Sequence, residues 1–141
     1  MHLIHPALVH FSVAFLVAGG LLEAGGILMR RQGWERAGAL LLLAGTLFLA
    51  PTVAAGFLAQ NSVAGFNGGA ADVHLHERFG LVLLGLFAAL AMWKGWNQGR
   101  LPVDHKVLYA VLVLAGVVLT MVTAWIGGHL VYGYGIGVTS G

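Results

Sequence analysis

Histidine is the residue type in this sequence that is best suited to bind a metal or a cofactor. Six of the seven histidines stand near the ends of long apolar segments: His2, His5, His10, His74, His76 and His129. Neutral imidazole binds a metal without bringing a buried charge, and helix bundles commonly hold cofactors between facing side chains. The pattern therefore indicates a haem or metal site, with histidines at an ordinary wet membrane interface as the alternative.

A haem site would need one or two axial histidines, an apolar slot and a polar place for the propionates. We expect His10 and His76 to form the first axial pair, and His5 with His129 to form a second pair if two haems are bound. Arg78 is the expected propionate partner. Glycines in the first and third segments would let a flat macrocycle approach the helices: Gly19, Gly20, Gly80 and Gly85.

A copper or zinc site would instead gather several imidazoles into a small sphere. Its expected ligands are His5, His10, His76 and His129, with Glu77 beside them. The chain has no cysteine, so thiolate metal sites, iron–sulfur clusters and covalent c-type haem within it are excluded. Spacing alone leaves haem b and a copper or zinc ion both open.

The segments that carry these histidines are those of a membrane protein. The 141 residues are 59% hydrophobic and 9% charged, whereas soluble domains carry about 25% charged residues. Spans are expected at about 6–29, 35–59, 74–96 and 106–131, within one transmembrane domain over 1–141. The predicted fold is an all-α integral membrane four-helix bundle, up-down-up-down, and no internal repeat is expected.

Basic residues predict the orientation of this bundle. Six of the seven flank the first and third turns between spans: Arg30, Arg31, Arg36, Lys94, Arg100 and Lys106. Because basic loops are retained in the cytoplasm, both termini and the six histidines are expected on the periplasmic side of a bacterial inner membrane. The seventh histidine, His105, is then an exposed residue of the cytoplasmic side.

One carboxylate, Glu23, falls inside the first span, about 20 Å from His10 along a helix. Such a group should be neutralised, and its expected partners are Arg30, Arg31 or Lys106. The sequence has no Ser-His-Asp arrangement, phosphate loop or dense basic run. It therefore predicts neither a hydrolase nor a nucleic-acid-binding protein.

Two end motifs resemble those of a family of small bacterial membrane proteins of unknown function. HPALVHFSVAFL at residues 5–16 is similar to that family's H-P-x-x-V-H-F-x-x-A, and GGHLVYGYGIGV at 127–138 to its G-G-x-L-V-Y-x-x-G-x-G-V. His76 stands where the family's third span begins with histidine. The family position of His129 is usually acidic and that of Tyr134 often histidine, so the resemblance supports His5, His10 and His76 more than His129.

The resemblance implies four spans and, since such domains occur with cytochrome and Rieske-type modules, a redox setting. We therefore expect a membrane-embedded electron-transfer subunit that binds haem b near the periplasmic face and is not an enzyme alone. Expected partners are the lipid bilayer, a redox protein or larger complex, and quinone. The alternatives are a copper or zinc site with a transport or sensing role, and an accessory subunit without a cofactor.

Overall fold

A computed structural model describes residues 4–60 and 69–136, without the side chains of Ile4, Pro6, Ala59 and Gln60. The expectations placed on His2, on most of the glycine-rich loop and on the end of the tail lie outside these residues. The described residues form four helices: α1 (Ile4–Leu28), α2 (Gln32–Gln60), α3 (Ala70–Trp96) and α4 (Val103–Tyr134). All four are long and apolar enough to cross a membrane, as the sequence predicts.

The helix bounds differ from the expected ones at the histidine end. The third helix begins at Ala70, so His74 and His76 lie inside its first two turns rather than at its start. The fourth helix continues to Tyr134, where Gly135 adopts a left-handed conformation (φ 67°) that favours glycine and ends the helix. The fourth helix therefore continues for about one turn beyond its expected end, although the sequence there is rich in glycine.

The helices form an antiparallel ring in which α1 packs on α2 and α4, and α3 packs on α2 and α4. Helices α1 and α3 thus lie diagonally across the bundle. Contacts between α1 and α2 are close because glycines replace side chains there. A Cβ atom added at Gly38 would lie 2.2 Å from the backbone of Glu23, and one at Gly26 would lie 2.3 Å from that of Glu35.

The two helix pairs repeat each other with a shift of 71 residues, which the sequence reading missed. Residues 39–45, ALLLLAG, correspond to 110–116, AVLVLAG. A Cβ atom at Gly45 would strike Leu16, and one at Gly116 would strike Phe87, which is the equivalent of Leu16. The bundle therefore resembles two helical hairpins related by an approximate two-fold axis along the helices, as in parallel repeats of membrane proteins, although α1 packs on α2 more closely than α3 packs on α4.

Candidate functional site

Two histidines are anchored in the same way, one in each hairpin. The Nδ1 atom of His5 donates to the backbone carbonyl of Thr52 over 2.9 Å, and that of His76 donates to the carbonyl of Thr123 over 3.1 Å. Each bond joins residues 47 positions apart, from the start of one helix to the end of the next. Because a carbonyl only accepts, each ring carries a proton on Nδ1, and in a neutral imidazole this leaves the lone pair on Nε2.

A glycine beside each ring makes this anchoring possible. A Cβ atom at Gly56 would lie 3.1 Å from Cε1 of His5, and one at Gly127 would lie 2.9 Å from Cε1 of His76. A methyl group at Gly127 would force the His76 ring to move, and one at Gly56 would press tightly on the His5 ring. The anchoring unit is therefore Thr-x-x-x-Gly on α2 or α4 together with the histidine of the preceding helix.

The two anchored rings meet on the approximate two-fold axis. Their centres are 6.5 Å apart, and their planes are nearly perpendicular, at 83°. Both rings line a cavity of about 70 Å³. No hydrogen bond to either Nε2 atom occurs within residues 4–60 and 69–136. The arrangement thus brings two imidazole rings together at one small cavity with an almost wholly apolar surface.

The rest of the cavity is apolar with a few hydroxyl groups. Its other main lining residues are Val9, Ser12, Leu16, Leu49, Val53, Phe57, Gly80, Leu83, Thr120 and Ala124. One carboxylate also reaches it: Glu77 has its Oε2 atom 3.4 Å from Nδ1 of His74. Its Oε1 atom is buried and has no partner among the described residues. The site therefore combines two neutral donors with one nearby acidic group.

The structure brings together only some of the predicted site residues. His5 rather than His10 faces His76, because His10 lies on the exposed side of α1. His129 packs against the rings of Trp125 and Tyr134, at 6.1 and 5.2 Å between centres. The pairs His10–His76 and His5–His129 are thus not formed in this structure.

The remaining charged and polar candidates lie away from the cavity. Arg78 is exposed and forms no ion pair with a described residue, and the side chain of His74 is 65% exposed. His105 is exposed at the opposite end of the bundle, beside the Trp93 ring. Of the four glycines expected to admit a macrocycle, only Gly80 lines the cavity. The space beside Gly19 and Gly20 is instead occupied by Leu42 and Val117, and the space beside Gly85 is open.

Within the described parts of the chain, no group of three or more histidine, aspartate or glutamate side chains is placed to hold a metal ion. The described residues therefore do not form the four-imidazole sphere that a tetrahedral copper or zinc site would use. What they provide is a pair of neighbouring, nearly perpendicular imidazoles.

A second polar cluster lies at the other end of the bundle, about 27 Å from the histidines by helix length. Glu23 is fully buried and pairs with Lys94, not with Arg30, Arg31 or Lys106 as expected. Glu35 lies 3.7 Å from Lys94 and 3.4 Å from Lys106. Lys94 is the repeat equivalent of Glu23, so this ion pair joins matching positions of the two hairpins across the axis.

The sequence contains matching segments that indicate both the histidine pair and the Glu23–Lys94 pair. Thr52 to Gly56 reads TVAAG and Thr123 to Gly127 reads TAWIG, each 47 residues after an anchored histidine. A comparison of the chain with itself at a shift of 71 aligns these segments, and it aligns His5 with His76. The same shift places Glu23 opposite Lys94.

Comparison with known proteins agrees with this architecture. No curated protein and no solved structure matches the chain significantly. A family model described as "Predicted membrane protein (DUF2231)" matches residues 1–140. The four helices of the structure, each long and apolar enough to cross a membrane, agree with this description. The chain therefore belongs to the DUF2231 family of predicted membrane proteins.

Proposed function

We propose that the chain is a membrane protein that binds one metal ion between His5 and His76, and that cuprous copper is the ion. The observation that carries the proposal is the paired anchoring of the two rings. Metal-ligating histidines almost always donate their second ring N–H to a carbonyl, a carboxylate or water, which fixes the tautomer. Both rings have this bond, and both rings line one cavity.

The spacing of the rings supports a shared ion. Two imidazoles on opposite sides of a metal, with metal–nitrogen bonds of about 2.0 Å, have centres about 6 Å apart. The observed 6.5 Å is close to this value. A cavity of about 70 Å³ has room for an ion and a few waters, because one water needs only about 10–15 Å³ of such volume. The adjacent Glu77 carboxylate favours a cation.

The number of donors favours copper over zinc. Structural zinc is almost always held by four ligands, and catalytic zinc by three protein ligands and a water. Cuprous copper is a d¹⁰ ion that accepts linear two-coordination, and imidazole is among the ligands that bind copper. Two opposed imidazoles are therefore a sufficient protein ligand set for copper(I) and an insufficient one for zinc. Copper transport or sensing is the role such a site would serve.

Haem b is the second candidate, and the same opposed pair of rings is the observation in its favour. A haem iron takes its other four ligands from the macrocycle, so two axial histidines would complete it. The space between the rings does not fit the group, because pockets for ligands of that size measure about 300–1,000 Å³. Under this candidate the chain is an electron-transfer subunit working with a redox partner and quinone in a bacterial inner membrane.

A spectroscopic and metal analysis separates the two candidates. Protein purified in detergent from native membranes is analysed for bound metals and for a reduced-minus-oxidised visible spectrum. One copper per chain without a haem band supports the copper site. A haem b band that disappears in His5→Ala and His76→Ala would instead support haem b and contradict the copper site. The variant His10→Ala serves as the matched control, because His10 stands on the exposed side of the same helix.

A further inference from the structure

The two interfaces between the hairpins, α1–α4 and α2–α3, are packed unequally, and a cavity opens in the second one at the basic end of the bundle. Between α1 and α4, Gly20 lets Val117 approach closely, since a Cβ atom at Gly20 would lie 2.3 Å from the valine side chain. The repeat equivalents between α2 and α3 are Ala91 and Thr46, and both line a cavity of about 950 Å³. One of two equivalent interfaces is therefore closed, and the other is separated by a space of ligand size.

This cavity is amphipathic along the helix axis. Its inner wall is apolar and includes Leu43, Phe87 and Leu90. Its outer wall includes Leu40, whose 70% exposure shows that the space opens sideways to the surroundings of the bundle. In a membrane, that opening faces lipid tails. An occupant with an apolar chain can thus enter from the bilayer.

The polar end of the cavity carries a surplus of positive charge. Four basic side chains and two acidic side chains line it: Arg36, Lys94, Arg100, Lys106, Glu23 and Glu35. The two carboxylates are engaged by the two lysines. Arg36 and Arg100 form no ion pair with any described residue, so two guanidinium groups are available to an anion. Guanidinium binds phosphate oxygens well because its donors form a planar fork.

A buried carboxylate oxygen supplies a second feature of the same site. Glu23 is fully buried and lines the cavity; its carboxylate lies beside the Tyr109 hydroxyl, and its Oε2 atom makes no hydrogen bond of normal geometry with a described residue. An unsatisfied buried acceptor is unfavourable, and a hydroxyl group from an occupant would satisfy it. The chemistry that fits both features is an acidic headgroup with a free hydroxyl.

We propose that the space between α2 and α3 binds one acidic phospholipid with a hydroxylated headgroup. Its phosphate lies between Arg36 and Arg100, its headgroup hydroxyl reaches Glu23, and an acyl chain covers Leu43 and Leu90. Basic pockets between transmembrane helices bind acidic lipid headgroups in this way. The proposal is independent of the metal site at the opposite end of the bundle.

Native mass spectrometry of the protein from vesicles with equal amounts of phosphatidylglycerol and phosphatidylcholine tests the proposal. The wild type is expected to retain one phosphatidylglycerol per chain. The double variant Arg36→Gln/Arg100→Gln should bind it about 30-fold more weakly, since each basic group near an acidic headgroup contributes about a factor of five. The matched control is Arg30→Gln/Arg31→Gln, which removes two exposed arginines of the same end that do not line the cavity.

A second variant tests the cavity without removing an arginine, so the conclusion does not depend on the folding of the double arginine variant. Ala91→Phe fills the apolar part of the cavity without changing a charge, and it should also lose the retained lipid. For each variant, thermal unfolding is measured with and without phosphatidylglycerol, and only proteins that keep the cavity should be stabilised. Equal retention of phosphatidylcholine by the wild type, or undiminished phosphatidylglycerol in both cavity variants, would overturn the proposal.

Discussion

The rings of His5 and His76 lie nearly perpendicular with their centres 6.5 Å apart, although the two residues are 71 positions apart in the chain. They occupy equivalent positions in two hairpins, and each is tied to the carbonyl of an equivalent threonine. A two-fold axis necessarily brings equivalent residues near it into mutual contact. The symmetry of the fold therefore explains how two distant histidines form one site.

The glycines behind the rings give the first prediction. Gly127→Ala should weaken metal binding by about 10- to 100-fold, the usual cost of losing a group that orients a ligand, because the new methyl would displace His76 from its carbonyl. Gly128→Ala is the matched control, since a Cβ atom there meets nothing within 4 Å. Metal affinity is measured by competition with a chromophoric chelator. Equal affinities of the two variants would show that the anchoring is unimportant.

The buried ion pair gives a prediction about stability. Lys94→Gln should lower the free energy of unfolding by about 3–5 kcal/mol, because it leaves Glu23 buried without its partner. Lys106→Gln should cost less than about 1 kcal/mol, because that lysine is one-third exposed. Unfolding is followed by circular dichroism in detergent. Similar losses for both variants would contradict the account of this cluster.

The repeat predicts that the charges of that pair can be exchanged. Glu23 and Lys94 occupy equivalent positions beside the axis, so two identical hairpins would place glutamate against glutamate there. Lys94→Glu alone should therefore destabilise the protein at least as much as Lys94→Gln. The double variant Glu23→Lys/Lys94→Glu should recover part of the loss, measured as a rise in the unfolding temperature. No recovery would mean that the two positions are not interchangeable.

Orientation across the membrane is also a prediction. The chain has no cysteine, so a single introduced cysteine reports cleanly on accessibility. In intact cells a membrane-impermeant maleimide should label Ala71→Cys, at the histidine end, and should label Gln98→Cys only after cell lysis, because the basic turns are expected in the cytoplasm. The reverse pattern would place the histidine site on the cytoplasmic side.

Sequence reasoning predicted the fold more completely than the site, for a physical reason. Four apolar segments of span length are visible in composition alone, and the structure confirms four such helices. Which histidines meet depends on the rotation of each helix, and these helices are apolar nearly all round, so hydropathy does not reveal their inner faces. His10, five residues after His5, therefore looked equally suitable, although it lies on the exposed side of α1.

The partner of Glu23 was predicted wrongly for a related reason. Its partner was sought among basic residues near it in the chain or on α4, yet Lys94 lies on the diagonal helix. Only the repeat indicates that the ends of α1 and α3 converge on one axis. The shared Thr-x-x-x-Gly segments were the available signal, and self-comparison of the chain would have revealed it.

The central claim is that His5 and His76 together bind one cuprous ion. The most direct test is an anaerobic titration of detergent-purified protein with copper(I) against a chromophoric chelator, for the wild type, His5→Ala, His76→Ala and His10→Ala. We predict one tightly bound ion per chain in the wild type and in His10→Ala, and at least about 100-fold weaker binding in the other two variants. Failure of the wild type to withdraw copper from the chelator, or full binding by His5→Ala and His76→Ala, would contradict the account.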